Sequence, residues 1–401
     1  MTTPGSDRLR VLFLTHAFPR RVGDPVGSFV ANLAIALREH GVDVTVSAPS
    51  AAELPHHEVL GGIPVHRFRY APRGHETLAY TGTMGAQVKD TIAGKLAMAS
   101  YLVAAAAAAQ RLIRAERIQL VHAHWWFPAG LVASGLSRLD RLPFVTTLHG
   151  SDLRLASTFP MGERLFAGVA RSSGAVTAVS SWLARGAEAI APGVAVQVAP
   201  MPVLDELFRP PRSDEHRDAD RMLFVGKLTE QKGLHRLLVA MSRMRAPSRL
   251  TVVGAGRVDD SALRAQADSL GLHDHVEWLP LLTQAELAGQ YRRAAVHVVP
   301  ALDEGLGLTA VESLLSETPV VGFASGGLPD IVADGRSGRL VPPGDTDALA
   351  DTLDAVLGDD EARRAMGRCG REDVVRAFGA AAAATRYAEL YRHVLDGSAA
   401  H

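Results

Sequence analysis

Residues 301–315, with the sequence ALDEGLGLTAVESLL, follow a β-branched run at residues 296–299 and indicate how the chain folds. A buried strand, a Gly-rich turn and then a helix form a β-loop-α unit. Glycines let backbone N–H groups approach a ligand at the helix N-terminus, where phosphates and hydroxyls find partners. Glu304 and Glu312 are eight residues apart, so we expect both carboxylates on one side of the unit. A capped helix after an ordinary strand is the alternative interpretation.

The same alternation of apolar runs and helical patterns continues in both directions. A helix is expected over residues 28–38, closed by Gly41. The predicted strands are residues 11–14, 42–47, 119–123, 144–148, 175–179 and 194–199, then 222–226, 250–253, 276–279, 296–299, 320–323 and 338–341. Strands alternating with helices predict an α/β fold of two Rossmann-like, doubly wound parallel sheets.

The composition changes at residues 200–211, and a charged stretch, SDEHRDADR, follows at residues 213–221. We interpret this region as a linker between an N-terminal domain, residues 1–202, and a C-terminal domain, residues 203–379. A final helix at residues 380–398 is predicted to pack back on the N-terminal domain. Because such sheets bind ligands at the carboxyl ends of their strands, the site is expected in the cleft between the domains.

The charges are balanced overall but divided unevenly. The 401 residues carry a formal charge of −1, while residues 1–200 contain 19 basic and 13 acidic side chains. The balance argues against a general nucleic-acid binder. Arg67, Arg69 and Arg73 lie near a Tyr-Ala-Pro turn, where they would meet an anionic lipid surface or a phosphorylated acceptor, or form a solvated face.

Cysteine usage and the apolar stretches bear on location. Cys369 is the only cysteine, so an internal disulfide is impossible and a reducing, cytoplasmic compartment fits best. The most apolar stretch, residues 96–109, is interpreted as a helix lying on a core and as too short to span a bilayer. Any membrane association would then be peripheral.

Three other motifs do not qualify as dinucleotide-binding or metal-binding sites. VVGAGRVDD at residues 252–260 has Asp259 where a dinucleotide fingerprint needs a third glycine, so a strand-to-helix turn is the better interpretation. His122 and His124 have no convincing third partner for a metal. Asp345, in an Asp-x-Asp pair, is explained as a helix N-cap. We therefore predict neither a metal site nor a cofactor.

The motifs together resemble those of retaining glycosyltransferases of the GT-B fold, in glycosyltransferase family 4 (group 1). The resemblance extends over roughly residues 9–350 and rests on the E-x7-E segment and on five further motifs. These are FPRRVGDPVGSFV at residues 18–30, VHAHWWFPAGL at 121–131, TLHGSD at 147–152, VGKLTEQKGLHRLL at 225–238, and SGGLPDIV with DGRSGRLVPPGD at 325–345.

The resemblance implies roles for individual residues. Lys227 and Lys232 are expected to bind the donor diphosphate, and Gly27 to give close backbone approach. Since carboxylates accept hydrogen bonds from diols, Glu312 is assigned to the ribose and Glu304 to the donor sugar. The remaining assignments are Gly305, Leu306, Gly307 and Leu308 for amide contacts with the donor, His149 for the transferred sugar, and His124 for the acceptor side.

The expected reaction is retaining transfer of a hexose from a UDP- or GDP-sugar to an acceptor hydroxyl without a metal, with His149, Lys232 and Glu304 as the catalytic residues. The acceptor would be a carbohydrate, a lipid-linked sugar or a small molecule, and nucleic acid is not expected as a partner. A sugar-nucleotide epimerase of the same fold and a non-catalytic sugar-nucleotide-binding module remain alternatives.

Overall fold

The computed structural model describes residues 8–24, 26–80, 84–158, 160–203, 206–246, 248–254 and 260–399. The chain divides into two compact units. Unit 1 comprises Met1–Pro202 together with Ala380–His401, and unit 2 comprises Val203–Gly379. Each unit has its own sheet and its own apolar core.

Unit 1 contains an eight-stranded sheet in the order β3-β4-β2-β1-β5-β6-β7-β8, parallel except for β3. Its strands are β1 (Leu9–Leu14), β2 (Val42–Pro49), β3 (His57–Leu60), β4 (Ile63–Phe68), β5 (Leu120–His124), β6 (Phe144–Leu148), β7 (Ala175–Ala178) and β8 (Val196–Val198). Its helices are α1 (Ser28–Arg38), α2 (Met84–Asp90), α3 (Ile92–Ala115), α4 (Leu131–Asp140), α5 (Ser151–Thr158), α6 (Gly162–Ser172), α7 (Ser181–Ile190) and α14 (Ala380–Ala399).

Unit 2 contains a six-stranded, wholly parallel sheet in the order β11-β10-β9-β12-β13-β14. Its strands are β9 (Asp218–Val225), β10 (Arg249–Val253), β11 (Val276–Leu279), β12 (Ala294–Val299), β13 (Val320–Phe323) and β14 (Gly338–Val341). Its helices are α8 (Leu234–Met241), α9 (Ser261–Ser269), α10 (Gln284–Arg293), α11 (Leu308–Leu315), α12 (Thr346–Gly358) and α13 (Asp360–Phe378). Helices cover the sheet, so central strands such as β12 are buried along their whole length.

The β3–β4 hairpin is absent from the sequence prediction. Its two strands are antiparallel and joined at Gly61 and Gly62, both of which have positive φ. A Gly-Gly pair between two short runs is a hairpin signal. The first strand is nevertheless inconspicuous, because it lies at the sheet edge and leaves Val59 69% exposed, so it lacks the apolar run of a buried strand.

Beyond residue 202, the described residues of the region predicted as a linker pack within unit 2. Val203 and Phe208 are buried, and Val203 N–H donates to the last carbonyl of α13 (3.2 Å). Strand β9 begins at Asp218, four residues earlier than predicted. Arg221 is buried in this strand beside Asp218 (3.5 Å), so the end of the charged stretch belongs to the sheet.

Helix α3 is longer than the apolar run that predicts it. It has 24 residues and is, by length and composition alone, apolar enough to cross a membrane, so the prediction that this stretch is too short is wrong. The difference arises because the helix continues at both ends beyond the run used for the prediction. Met98, Tyr101 and Leu112 lie on its buried face, which packs against β1, β2 and β4, as expected for a core helix.

Helix α14 completes the core of unit 1 after the chain has formed unit 2. Tyr387 and Tyr391 on α14 are wholly buried. The Tyr387 hydroxyl donates to the carbonyl of Ala199 (2.9 Å), and the Tyr391 hydroxyl is hydrogen-bonded to His122 Nδ1 (2.7 Å). The C-terminal helix is therefore an internal part of unit 1.

Candidate functional site

Lys232 and Glu304 form an ion pair although 72 residues separate them in sequence. Lys232 ends a short 3₁₀ turn after β9, and its ammonium donates to the Glu304 carboxylate. Gly233 makes this turn feasible, because its φ is +74° and a Cβ there would lie 2.0 Å from the carbonyl oxygen of Pro300. The side chains are 26% and 18% exposed, so a ligand can reach both.

Glu304 is positioned by a loop. Helix α11 begins at Leu308, so Glu312 is helical and Glu304 is not. The Glu304 carbonyl accepts a hydrogen bond from Gly327 N–H (2.8 Å), and a Cβ on Gly326 would lie 2.2 Å from the same oxygen. The two glycines of the SGG motif therefore allow close packing against the Glu304 loop.

The predicted amide contacts lie where this loop enters α11. Gly305, Leu306 and Gly307 are buried, and Gly307 caps the helix with φ +98°. Leu308 is the first helical residue. First-turn N–H groups lack partners within their own helix and carry partial positive charge, so they can bind an anionic group.

Glu312 has a partner that the sequence motifs do not indicate. The Tyr291 hydroxyl donates to Glu312 Oε2 (3.0 Å). Burial raises the pKa of Glu312 to about 7, and the bond from Tyr291 opposes this rise. Glu312 therefore changes charge near neutral pH.

His297 on β12 contacts the ring of Tyr291 and is affected by the charge of Lys232. Its ring lies 5.3 Å from that of Tyr291, and both of its nitrogens are buried without a hydrogen-bond partner among the described residues. Burial, followed by the charge of Lys232, lowers the pKa of His297 to about 3. Lys232, Glu304, Tyr291, His297 and Glu312 are called the carboxylate cluster below. Sequence reasoning missed Tyr291 and His297, because His297 lies in an apolar run typical of a core strand and Tyr291 lies among polar helix residues with no motif around it.

His149 lies in a loop of unit 1 that Asp152 organises. Asp152 is 1% exposed and accepts backbone hydrogen bonds from His149 (2.6 Å), Gly150 (3.2 Å) and Trp126 (3.2 Å). Burial raises the pKa of Asp152 to about 6, although these bonds favour the ionised form. The loop after β6 is thus fixed by a buried carboxyl group that the sequence analysis did not assign.

Histidines His16, His122, His124 and His149 form a second group, called the histidine cluster below. A hydrogen bond joins His124 Nδ1 to His149 Nε2 (3.1 Å). The ring of Trp125 lies 4.2 Å from that of His16 and 4.3 Å from that of His149, tilted against both. Trp125 and Trp126 are both buried, as expected for core aromatics. His122 bonds to Thr147 and to α14 through its two nitrogens, which gives it a structural role.

The histidine cluster should make the protein sensitive to acid. Burial lowers the pKa of His16 to about 4 and holds those of the other three well below 6.5. A depressed folded-state pKa contributes stability that is present above about 6.5 and lost as the pH falls, by up to about 1.4 kcal/mol per pH unit per group. We expect the urea midpoint to fall steeply between pH 7 and pH 5.

Two histidine variants test the predicted loss of stability at low pH. His16→Asn should reduce the pH dependence of the urea midpoint, whereas His393→Asn, at an exposed histidine, should leave it unchanged. An equal midpoint at pH 7 and pH 5 in the unsubstituted protein would contradict the assignment of neutral buried imidazoles.

Gly27 caps α1 with φ +71°. A Cβ there would lie 2.3 Å from the carbonyl oxygen of Ala17, so the loop after β1 requires a glycine for its own packing. Lys227 is exposed at the end of β9 and remains available for a ligand.

The motifs that the sequence analysis rejected as sites have structural roles wherever the structure describes their residues. Asp345 is the N-cap of α12, accepting from Ala348 N–H (2.9 Å). Gly254 has φ +121° and lies against the backbone of Gly226, whereas Gly256 and Asp259 are outside the described residues. No group of three or more His, Cys, Asp or Glu suited to a metal ion occurs within the described ranges.

The prediction that Arg67 and Arg69 form a basic surface is wrong. Arg67 is 2% exposed, pairs with Glu58, and donates to the Tyr80 hydroxyl (2.8 Å). Arg69 lies 3.5 Å from the buried carboxylate of Glu76. Because the guanidinium groups of Arg67 and Arg69 are engaged in these contacts, they do not form a surface for lipid, and only Arg73 of the three is exposed.

Comparison with known proteins identifies the family of this chain. Two family models match, Glycosyltransferase Family 4 over residues 26–203 and Glycosyl transferases group 1 over residues 207–373. A D-inositol 3-phosphate glycosyltransferase of Frankia alni is 34% identical over 319 residues, which cover 70% of this chain and 75% of that relative.

Solved structures of other proteins are similar over nearly the whole chain. Sucrose-phosphate synthase from Thermosynechococcus elongatus has a TM-score of 0.78 at 21% identity, covering 97% of this chain and all of the other. HepE from Anabaena, in complex with UDP-glucose, has a TM-score of 0.72 at 19% identity, covering 96% of this chain and all of HepE. With two parallel-sheet units and matches to both family models, the chain belongs to the group 1 glycosyltransferases of the GT-B fold.

Proposed function

We propose that this glycosyltransferase moves a hexose from a UDP- or GDP-sugar to an acceptor hydroxyl with retention of configuration and without a metal ion. The observation that carries the proposal is the carboxylate cluster, in which an accessible Lys232–Glu304 pair accompanies a second carboxylate at Glu312. This set offers a cation for a diphosphate and carboxylates for vicinal hydroxyls.

The main chemical task is to stabilise the departing nucleotide diphosphate. Lys232 and the N-terminal amides of α11 direct positive charge toward an anion, and Lys227 is available to add to it. These groups would stabilise the negative charge of the diphosphate, which other transferases stabilise with a divalent cation. We therefore propose that transfer proceeds without added metal.

Retention follows from attack on the face that the diphosphate leaves. The bond from the anomeric carbon to the phosphate oxygen breaks, and a bond to the acceptor oxygen forms on the same face. The acceptor proton passes to the leaving phosphate oxygen. Glu304 then has a binding role toward a sugar hydroxyl, with Lys232 as its partner before donor binds.

His149 is proposed to contact the transferred sugar as a neutral imidazole. Burial, followed by His124 and His16, keeps its pKa well below 6.5. Since His149 Nε2 is occupied by His124, Nδ1 remains for a sugar hydroxyl. His124 would support this orientation from the acceptor side.

Apart from Gly27, whose backbone is expected to approach the donor, the proposed diphosphate and ribose ligands lie in unit 2, so we propose that residues 203–379 bind the donor. Residues 1–202 with helix 380–398 would bind the acceptor. The lone cysteine is consistent with a cytoplasmic location.

A donor panel tests the proposal with the full-length protein. UDP-glucose is the first donor to try, because HepE binds it, and inositol 3-phosphate is the first acceptor, because the Frankia relative is named for it. Mass spectrometry and NMR should show a new α-glycoside in the presence of EDTA. Inversion at the anomeric carbon, or a requirement for Mg²⁺ or Mn²⁺, would contradict the mechanism. A changed sugar without acceptor would favour the epimerase, and binding without turnover across the panel would favour the binding module.

A further inference from the structure

We propose that Tyr291 is a positioning residue for donor binding, whose hydroxyl orients Glu312 toward the ribose diol. The inference rests on the proposed role of Glu312 and extends it to a residue outside the E-x7-E segment.

Tyr291 is held rigidly in the last turns of α10. Its side chain is wholly buried, with its ring 5.9 Å from that of Phe208 and 5.3 Å from that of His297. Its carbonyl accepts a hydrogen bond from the Thr318 hydroxyl (2.6 Å). With ring and backbone both fixed, the hydroxyl can serve as a stationary donor.

The hydroxyl engages one of the two carboxylate oxygens of Glu312. It donates to Oε2 at 3.0 Å, and Glu312 is itself only partly buried. A carboxylate accepts up to about four hydrogen bonds, so the group keeps capacity for a ribose diol. Because a side chain fixed before binding loses less entropy, the Tyr291 contact should increase donor affinity.

The charge of Glu312 depends on few groups. Among the described residues of the elements packed against α11, α10 contributes Tyr291 itself, and its Arg292 and Arg293 are paired with Glu215 and Asp218. Strand β12 contributes neutral His297, and α13 contributes Arg371, which donates to a carbonyl at the end of α11. Strand β13 has no titratable side chain. The bond from Tyr291 lowers the pKa of Glu312 against the effect of burial, so its removal should raise that pKa further.

The test is Tyr291→Phe in the full-length protein, measured by calorimetry with UDP and with 2′,3′-dideoxy-UDP from pH 6 to pH 9. UDP affinity at pH 7 should fall about three- to tenfold, the size expected for one hydrogen bond. The pH at which affinity is half-maximal should move upward. Affinity for the dideoxy nucleotide should not change, because it lacks the diol.

The controls separate this inference from the proposed function. Tyr387→Phe removes a buried, hydrogen-bonded hydroxyl in unit 1 and should leave UDP affinity unchanged. Glu312→Gln should weaken UDP more than the dideoxy nucleotide. If Glu312→Gln does so while Tyr291→Phe shifts neither affinity nor pH profile, the role of Tyr291 is overturned and that of Glu312 stands. If Glu312→Gln has no effect, both roles are overturned.

Discussion

Lys232→Met is expected to reduce affinity for UDP, and transfer from UDP-glucose, by about 10- to 150-fold. This is the range for one hydrogen bond between charged groups, roughly 1.5–3 kcal/mol. The ammonium faces the Glu304 carboxylate in the free protein and would face the diphosphate after binding. Methionine keeps the apolar stem beside Gly226 and removes only the charge.

Calorimetry with UDP and initial rates with UDP-glucose would measure this effect. Lys95→Met makes the same change at an exposed lysine on α3 and should alter neither quantity. Unchanged UDP affinity in Lys232→Met, with the unfolding midpoint preserved, would show that Lys232 does not bind the donor diphosphate.

Asp152→Asn is expected to lower kcat by about 100-fold while UDP affinity stays unchanged. Both oxygens of Asp152 accept backbone N–H groups, so an amide in their place must turn its NH₂ toward one of them. The loop should move, and His149 moves with it. A displacement of about 1 Å at a reacting group can cost about 100-fold in rate.

Asp345→Asn is the matched control for this substitution. Asp345 is an exposed N-cap of α12, and asparagine caps a helix as well as aspartate does. Both kcat and affinity should therefore be retained. Asp152→Asn at full activity would mean that the Asp152 loop does not position a reacting group. A fall in UDP affinity would place donor contacts in unit 1.

The elements of the fold follow the hydrophobic pattern closely. Buried parallel strands are continuous apolar runs, so β1, β12 and β13 are visible in the sequence. The E-x7-E segment likewise reveals where a strand ends and a helix begins. The edge hairpin β3–β4 was missed because its first strand is half exposed and lacks such a run.

Long-range pairings were not predictable from local patterns. Arg67 looks like a surface cation in sequence, yet its partners Glu58 and Tyr80 bury it, and only the register of β3 on β4 brings Glu58 close. Tyr291 resembles any core aromatic until the packing of α10 on α11 places its hydroxyl against Glu312. The type of a residue indicates which interactions its side chain can make, but its tertiary contacts decide which of them it makes.

Unit 1 is built from two separate chain segments, so it cannot finish folding until the second segment has been translated. His122 of β5 is synthesised early in translation. Its partner Tyr391 leaves the ribosome only after all of Val203–Gly379 has been made. At about 5–20 residues per second, this delay is on the order of ten seconds or more. Throughout it, the nascent first unit lacks the tyrosines that cover its sheet, whereas the second unit is contiguous. We therefore expect unit 2 to reach its native structure first, with the nascent N-terminal half exposed to chaperones until α14 has been synthesised.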